Sequence, residues 1–302
     1  MIVAIRDLGG SNRVVNEVTA AIAGHASHSG FNTLVLQFSG DSEYTIDKLL
    51  YAEDSKSDGY FAETGIDALL SEAALNNISK EIFQDTARAF TKNYRLDVAE
   101  VSKQENFHAL LAEKQMEVST LLTSAGSAYD LVLVPFGARS EKEIFGAYGP
   151  ELMPQFDMVV WTVRQGSKNE DHDHYPNEMY ILTGYKEDSK YTAKVMNKRI
   201  NAGKSAILPL SVPTAFRDAV DDMRLVVFLR KAKAGENDPV SDTLDFTQQL
   251  SAIIAMLGMK ESKNHEEVWN EVEFNDERIG LFEAKREDPE EYTESDFKET
   301  AD

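Results

Sequence analysis

Residues 2–38 read IVAIRDLGGSNRVVNEVTAAIAGHASHSGFNTLVLQF, and the order of elements they encode decides the fold. The apolar run 2–5 predicts a strand. Gly9 and Gly10 supply a tight turn, and Val14, Val15, Val18, Ala21 and Ile22 then recur at helical spacing. Gly30 breaks the helix, and residues 33–38 predict a second strand. Strand, glycine turn, helix and strand in this order make the unit that offers backbone N–H groups to phosphate at a helix N-terminus.

Outward from this unit the alternation continues. A polar loop spans 39–60. Residues 64–90 read as helical through Ile66, Leu69, Leu70, Ala73, Ala74, Ile78, Ile82 and Phe83. A short strand is expected at 96–101 and an amphipathic helix at 107–124. Residues 129–135 (YDLVLVP) predict a buried strand ended by Gly137, and 157–163 (DMVVWTV) predict another. After a polar insert at 164–178, a strand follows at 179–183 and a helix at 189–201. A short strand at 206–208 is expected to stop at Pro209. Helices are expected at 214–224 and at 244–257, the last ending at Gly258. Strands apolar on both faces belong to parallel sheets covered by helices, so the fold class is α/β: three layers, a mostly parallel sheet with helices on both faces.

Composition narrows the function classes. The chain has 302 residues, 42% of them hydrophobic, and no cysteine. Disulfides, thiolate catalysis, cysteine-ligated zinc and iron–sulfur clusters are thereby excluded. The sequence opens on a strand without a basic and then apolar leader, which predicts a cytoplasmic protein. The net charge is −21, a surface that repels DNA phosphates and anionic lipids. Residues 260–302 carry 16 acidic and 6 basic side chains, a net of −10 and about half of the excess. The expected organisation is one α/β domain over 1–258 and an acidic C-terminal extension over 259–302. That extension reads either as a solvated tail or as a partner-docking segment anchored by Trp269, Val272, Phe274, Ile279, Leu281 and Phe282.

Four stretches carry a resemblance: the opening unit, TGIDALLSEAA (64–74), SAYDLVLVPFG (127–137) and AILPLSVPTAFRDAVDDMRLVVFL (206–229). In this order and at these distances the chain resembles, over about residues 1–258, the MinD/ParA family of deviant-Walker P-loop ATPases. The family's phosphate loop reads Lys-Gly-Gly-x-Gly-Lys-Thr; here the matching positions are Leu8, Gly9, Gly10, Ser11, Asn12, Arg13 and Val14. The resemblance places Leu8 where the deviant lysine would reach a partner's nucleotide. Asn12 stands at the third glycine and tolerates left-handed backbone. Arg13 stands at the phosphate lysine, a longer and forked cation. Val14 stands at the hydroxyl that binds Mg²⁺. Gln37 falls where the family has its catalytic aspartate, and Pro135 where it has the aspartate of the switch loop. Phosphoryl transfer rests on positioning and on charge neutralisation, so these replacements imply no catalytic residue.

The resemblance implies a catalytically degenerate protein that acts as an adaptor or positioning factor in a larger assembly: pilus, secretion or conjugation machinery, or plasmid-type partition. The alternative is an active ATPase whose non-standard loop uses Arg13. Gly9, Gly10, Ser11, Asn12 and Arg13 are the candidate nucleotide- or anion-binding residues, with ATP or ADP held without a well-placed Mg²⁺. A purely structural turn is the equal alternative. Protein partners are expected, including a homodimer across the old nucleotide face. Strong nucleic-acid binding and direct membrane insertion are not, because the chain is acidic and lacks a C-terminal basic amphipathic helix.

Other candidates weigh less. Adjacent glycines and a second strand ending in Gln37 and Phe38 fit a dinucleotide fingerprint poorly. Residues 171–174 (DHDH) lie in a polar insert where an extended chain puts both histidines on one side. That spacing allows weak divalent binding, but a solvated loop is the preferred reading, and no metal site is expected. His25 and His28 suit a helix C-terminus better than a metal. Ser205 and Ser211 lack a nucleophile's partners, and Trp161 reads as core.

Overall fold

The computed structural model describes residues 1–9, 11–38, 45–50, 65–89, 96–102, 111, 113–136, 153–168, 172, 174–234 and 241–259. Eight strands are described: β1 (Ile2–Asp7), β2 (Thr33–Leu36), β3 (Arg88–Ala89), β4 (Leu96–Ala99), β5 (Leu131–Phe136), β6 (Met158–Arg164), β7 (Glu178–Thr183) and β8 (Ala206–Leu210). The described helices are α1 (Asn12–His28), α2 (Ile46–Leu50), α3 (Gly65–Ala74), α4 (Lys80–Thr86), α5 (Gln115–Ala128), α6 (Ala193–Ile200), α7 (Thr214–Asp221), α8 (Leu225–Ala234) and α9 (Ser241–Met256).

The strands form one sheet in the order β3-β4-β2-β5-β1-β6-β7-β8. Every pairing is parallel except the two-residue edge strand β3, which runs antiparallel to β4. β1 lies inside the sheet, between β5 and β6, where both of its faces must be covered. Its residues are accordingly buried throughout. Alternate residues feed two cores. Ile2 and Ala4 join a cluster with Leu69, Leu121, Leu122, Trp161, Tyr180 and Met196, roofed by α3, α4, α5 and α6. Val3 and Ile5 join the opposite cluster with Val15, Ile22, Phe216, Phe246 and Ile253, roofed by α1, α2, α7, α8 and α9. This is the three-layer, mostly parallel α/β sheet expected from the sequence.

α1 shows how local sequence sets an element. Ser11 caps its N-terminus, accepting from the Val14 N–H, and Gly30 follows its end with φ +91°, a backbone region that costs glycine nothing. Where α1 meets α8, Gly24 leaves room for Leu229: a Cβ there would fall 2.3 Å from the leucine Cδ1.

Several element boundaries depart from expectation. β8 runs through Pro209, pairing it with Leu182 of β7. A proline lacks a donor, but on an edge strand its nitrogen side need meet no neighbour. Residues 46–50, read as part of a loop, form the short helix α2, with Ile46, Leu49 and Leu50 buried. The helix expected over 64–90 is split. Asn76 adopts φ +53°, and Ser79 starts α4 as a new cap by accepting from the Ile82 N–H. α8 was not anticipated as a separate helix. The acidic stretch beyond Met259 and the Gly137 stop lie outside the described residues, and no described helix is long and apolar enough to cross a membrane.

Candidate functional site

β1 ends in two charged residues, Arg6 and Asp7, both buried. Alternation along the strand sends them to opposite faces of the sheet, and each organises a separate cluster.

Asp7 lies on the α1 side. It stands in register with Thr162 of β6, whose hydroxyl donates to Asp7 Oδ1 at 2.6 Å. The other carboxylate oxygen faces the turn that leads into α1. The Ser11 N–H donates to Oδ2 at 2.6 Å, and the Gly9 N–H also hydrogen-bonds the carboxylate. A Cβ on Gly9 would sit 3.3 Å from Oδ2, so glycine lets the backbone close on the acid. Burial pushes the Asp7 pKa above its ordinary value, against the lowering effect of the bonds from Ser11, Thr162 and Gly9. The turn that the sequence offers to an outside anion therefore surrounds an acid of its own.

The other candidate residues are distributed around this acid. Ser11 caps α1 and Asn12 is the first residue of that helix; Gly10 lies outside the described residues. Arg13 turns outward. Its Nε donates to Glu17 at 2.5 Å and its Nη2 to Asp221 of α7 at 2.8 Å, with the side chain 43% exposed. Gln37 is buried and uses its Oε1 to accept the N–H of Ile46 at 3.0 Å, starting α2. Pro135 sits within β5 opposite Ile5. Leu8 donates its N–H to the Thr162 carbonyl at 3.0 Å and packs against the core below the sheet's other face.

Arg6 lies on that other face. Its guanidinium stacks over the Trp161 ring at 4.1 Å, and Nη1 donates to the Tyr175 hydroxyl at 2.8 Å. Trp161 is thus core, as expected, and also the platform for a buried cation. Tyr175 lies between β6 and β7 in the chain, and its ring stacks on that of Trp161 with centroids 6.4 Å apart. His172 packs edge-on against Trp161 with ring centroids 5.0 Å apart. Its Nε2 lies 2.8 Å from the Tyr180 hydroxyl. That hydroxyl donates to Glu178 Oε1 at 2.9 Å, and His174 Nδ1 lies 3.0 Å from the same oxygen. Glu178 also accepts from the Tyr175 N–H at 3.1 Å and from the Ser205 hydroxyl at 3.2 Å. Burial acts to raise the Glu178 pKa, but the bonds from His174, Tyr175 and Tyr180 outweigh it and hold the acid below its ordinary value. Burial and the neighbouring Glu178 push the Tyr180 phenol the other way, upward.

The structure thus gathers residues that the sequence left scattered. Asp7 was hidden inside a predicted turn; an acid two residues before a glycine, at the end of an apolar strand, was the available signal. Glu178 was read as the end of the insert, and only its position as the first residue of β7 brings it to the histidines. His25 and His28 are buried in the last turn of α1, where His25 Nε2 meets Ser251 Oγ at 2.8 Å and His28 Nδ1 meets the Gly24 carbonyl at 2.6 Å.

No family model and no curated protein sequence matches the chain. Solved structures do match its fold. A ParA family ATPase from Chlorobium tepidum TLS superposes with a TM-score of 0.55 at 15% identity, over 82% of this chain and 98% of that one. The septum site-determining protein MinD from Pyrococcus horikoshii OT3, in complex with Mg-ADP, gives 0.55 at 12% identity over 87% and 98%. The MinC:MinD cell division complex from Aquifex aeolicus gives 0.50 at 11% identity over 83% and 96%. The chain has the P-loop α/β fold of these ParA and MinD structures.

Proposed function

We propose that this protein is a catalytically degenerate MinD/ParA-like scaffold that serves as an adaptor or positioning factor in a larger protein assembly. One observation carries the reading: the Asp7 carboxylate lies against the Gly9 and Ser11 N–H groups, where a phosphate-binding turn would meet its ligand. A phosphate brought there meets a buried acid instead of free donors. Charged, Asp7 repels it; protonated, Asp7 still fills the space. Val14 offers no ligand to Mg²⁺, and Arg13 is held outside the turn by Glu17 and Asp221. A magnesium nucleotide of the kind bound by the Pyrococcus MinD does not fit these residues, and no hydrolytic step is assigned to them.

The adaptor role rests on fold analogy and on the acidic charge. One structure that matches this fold is a complex of two proteins, MinC and MinD. A surface this acidic favours protein partners with basic faces over nucleic acid or anionic lipid. The acidic residues 259–302, with their interspersed aromatic and aliphatic side chains, are the proposed docking segment.

Calorimetric titration of ATP into the full chain, with and without Mg²⁺, followed by a phosphate-release assay, tests the reading. No saturable ATP binding and no turnover are expected. Magnesium-dependent hydrolysis that disappears in Arg13→Ala would overturn it in favour of an active ATPase.

A further inference from the structure

We propose that His172, His174 and Glu178 form a divalent transition-metal site of the zinc class, which clips the segment between β6 and β7 onto the sheet. It is independent of the adaptor reading. One ligand atom from each residue falls within 4.8 Å of the others, making this the one such group among the described residues. The origin of the convergence is local. His172 and His174 are alternate residues of a non-helical segment, so both imidazoles leave on the same side; their rings lie 4.5 Å apart. Glu178 shares the sheet face of Tyr180, because alternate residues of β7 point the same way.

The Tyr180 hydroxyl lies between the three ligands as a hydrogen-bond donor. It is 2.8 Å from His172 Nε2, 2.9 Å from Glu178 Oε1 and 3.4 Å from His174 Nδ1. Tetrahedral zinc with bonds near 2.1 Å separates its ligand atoms by about 3.4 Å. The cluster therefore needs only small rotations about side-chain bonds to close on an ion. Binding replaces the hydrogen bonds that the ligating atoms make to one another, Tyr180 keeps its phenol proton as a donor beside the ion, and any proton bound to a ligating imidazole nitrogen leaves to solvent.

The donor set selects the metal. Two imidazole nitrogens and one carboxylate oxygen suit zinc and its neighbours, and are too few and too nitrogen-rich for calcium or magnesium. Support around the ligands is already in place: Tyr175 N–H and Ser205 Oγ both donate to Glu178 and fix its carboxylate. Access differs across the site, since the Glu178 side chain is 4% exposed and that of His174 is 43% exposed. An ion entering past His174 would lock Tyr175 and His172 over Trp161 and Arg6.

The test is calorimetric titration of zinc chloride into the full chain after EDTA treatment and dialysis. It is run on wild type, His174→Ala, the His172→Ala/His174→Ala double variant and Glu178→Gln, with circular dichroism to establish that each is folded. One saturable site is expected in wild type, weakened at least about tenfold in every variant, with a wild-type Tm that rises with zinc concentration and a His174→Ala Tm that rises far less. His174→Ala is the variant that keeps the fold, because its ring is the most exposed of the three ligands. Absence of saturable binding in wild type overturns the site. So does equal affinity in the folded His174→Ala protein, which would move the zinc to other histidines or to the acidic extension. Undiminished binding in folded Glu178→Gln would remove the carboxylate and overturn the three-ligand assignment.

Discussion

Asp7 and Glu178 are both carboxylates satisfied by several donors, on strands separated only by β6, yet their pKa values move in opposite directions. Asp7 is enclosed between the sheet and the start of α1, and its donors are two backbone N–H groups and a hydroxyl. For it, the cost of removing charge from water wins. The Glu178 side chain, at the beginning of β7, is as little exposed as Asp7, but one of its partners is an imidazole that can itself carry charge. For it, the bonds win. The number of hydrogen bonds does not decide an acid's state; the balance between the cost of desolvation and the charge of the donors does. The same contrast separates a self-filled turn from a cluster able to exchange its protons for an ion.

The largest expected effect comes from emptying the turn. Asp7→Ala removes the acceptor of the Ser11, Gly9 and Thr162 donors and should lower stability by roughly 3 kcal/mol, since each orphaned buried donor costs about 1–3 kcal/mol and the costs overlap. Chemical denaturation measures it. Inorganic phosphate should recover part of the loss in Asp7→Ala and none in wild type. A variant as stable as wild type would show that the turn does not depend on its acid.

Asp7→Asn keeps the turn and removes the titration. Its amide oxygen can accept from Ser11 and Gly9, while its NH₂ donates to Thr162. In wild type the native Asp7 keeps its proton to higher pH than the unfolded chain does. Asp7 thus makes stability fall as pH rises from the ordinary value of 3.8 to the raised native value. Stability curves for Asp7→Asn should lack that fall and match or exceed wild type at neutral pH; an identical slope in both proteins would place the titration elsewhere.

Arg6→Met probes the other face. It removes the bond to Tyr175 and the stacking on Trp161 but keeps much of the volume, and should cost about 2 kcal/mol. Hydrogen exchange should speed at Tyr175 and leave the turn at Ser11 protected. Faster exchange at both would mean that the two clusters form one cooperative unit.

Legibility of the sequence differs between the interior of the sheet and its edges. Interior strands such as β1 and β5 announce themselves because both faces are apolar. β8 misled because Pro209 is a strand breaker only where its missing donor faces a neighbour. α2 was hidden because its nucleus is a side chain: Gln37, buried at the end of β2, accepts the Ile46 N–H. The candidate phosphate turn was readable from Gly9 and Gly10, but not its contents. Which oxygen the Ser11 N–H meets depends on Asp7 pointing toward α1, and that follows from strand parity only once the length of β1 is known. His172 and His174 were visible as a pair, while Glu178 joins them through the return of the chain to β7.

Arg13→Ala should have the smallest effect. In the P-loop resemblance Arg13 stands at the residue that grips phosphate, and a functional loop would lose its affinity with that cation. Here its partners are Glu17, one turn along α1, and Asp221 on α7, whose side chain is 61% exposed. The Asp221 pair is exposed and the i,i+4 pair with Glu17 only half-buried, and surface pairs of this kind are screened and contribute about 0–1 kcal/mol. The expected loss is therefore under about 1 kcal/mol, shrinking further in added salt, with no change in the response of the protein to phosphate. A larger loss that phosphate repairs would return Arg13 to the turn and make the buried Asp7 a displaceable plug instead of a permanent filling.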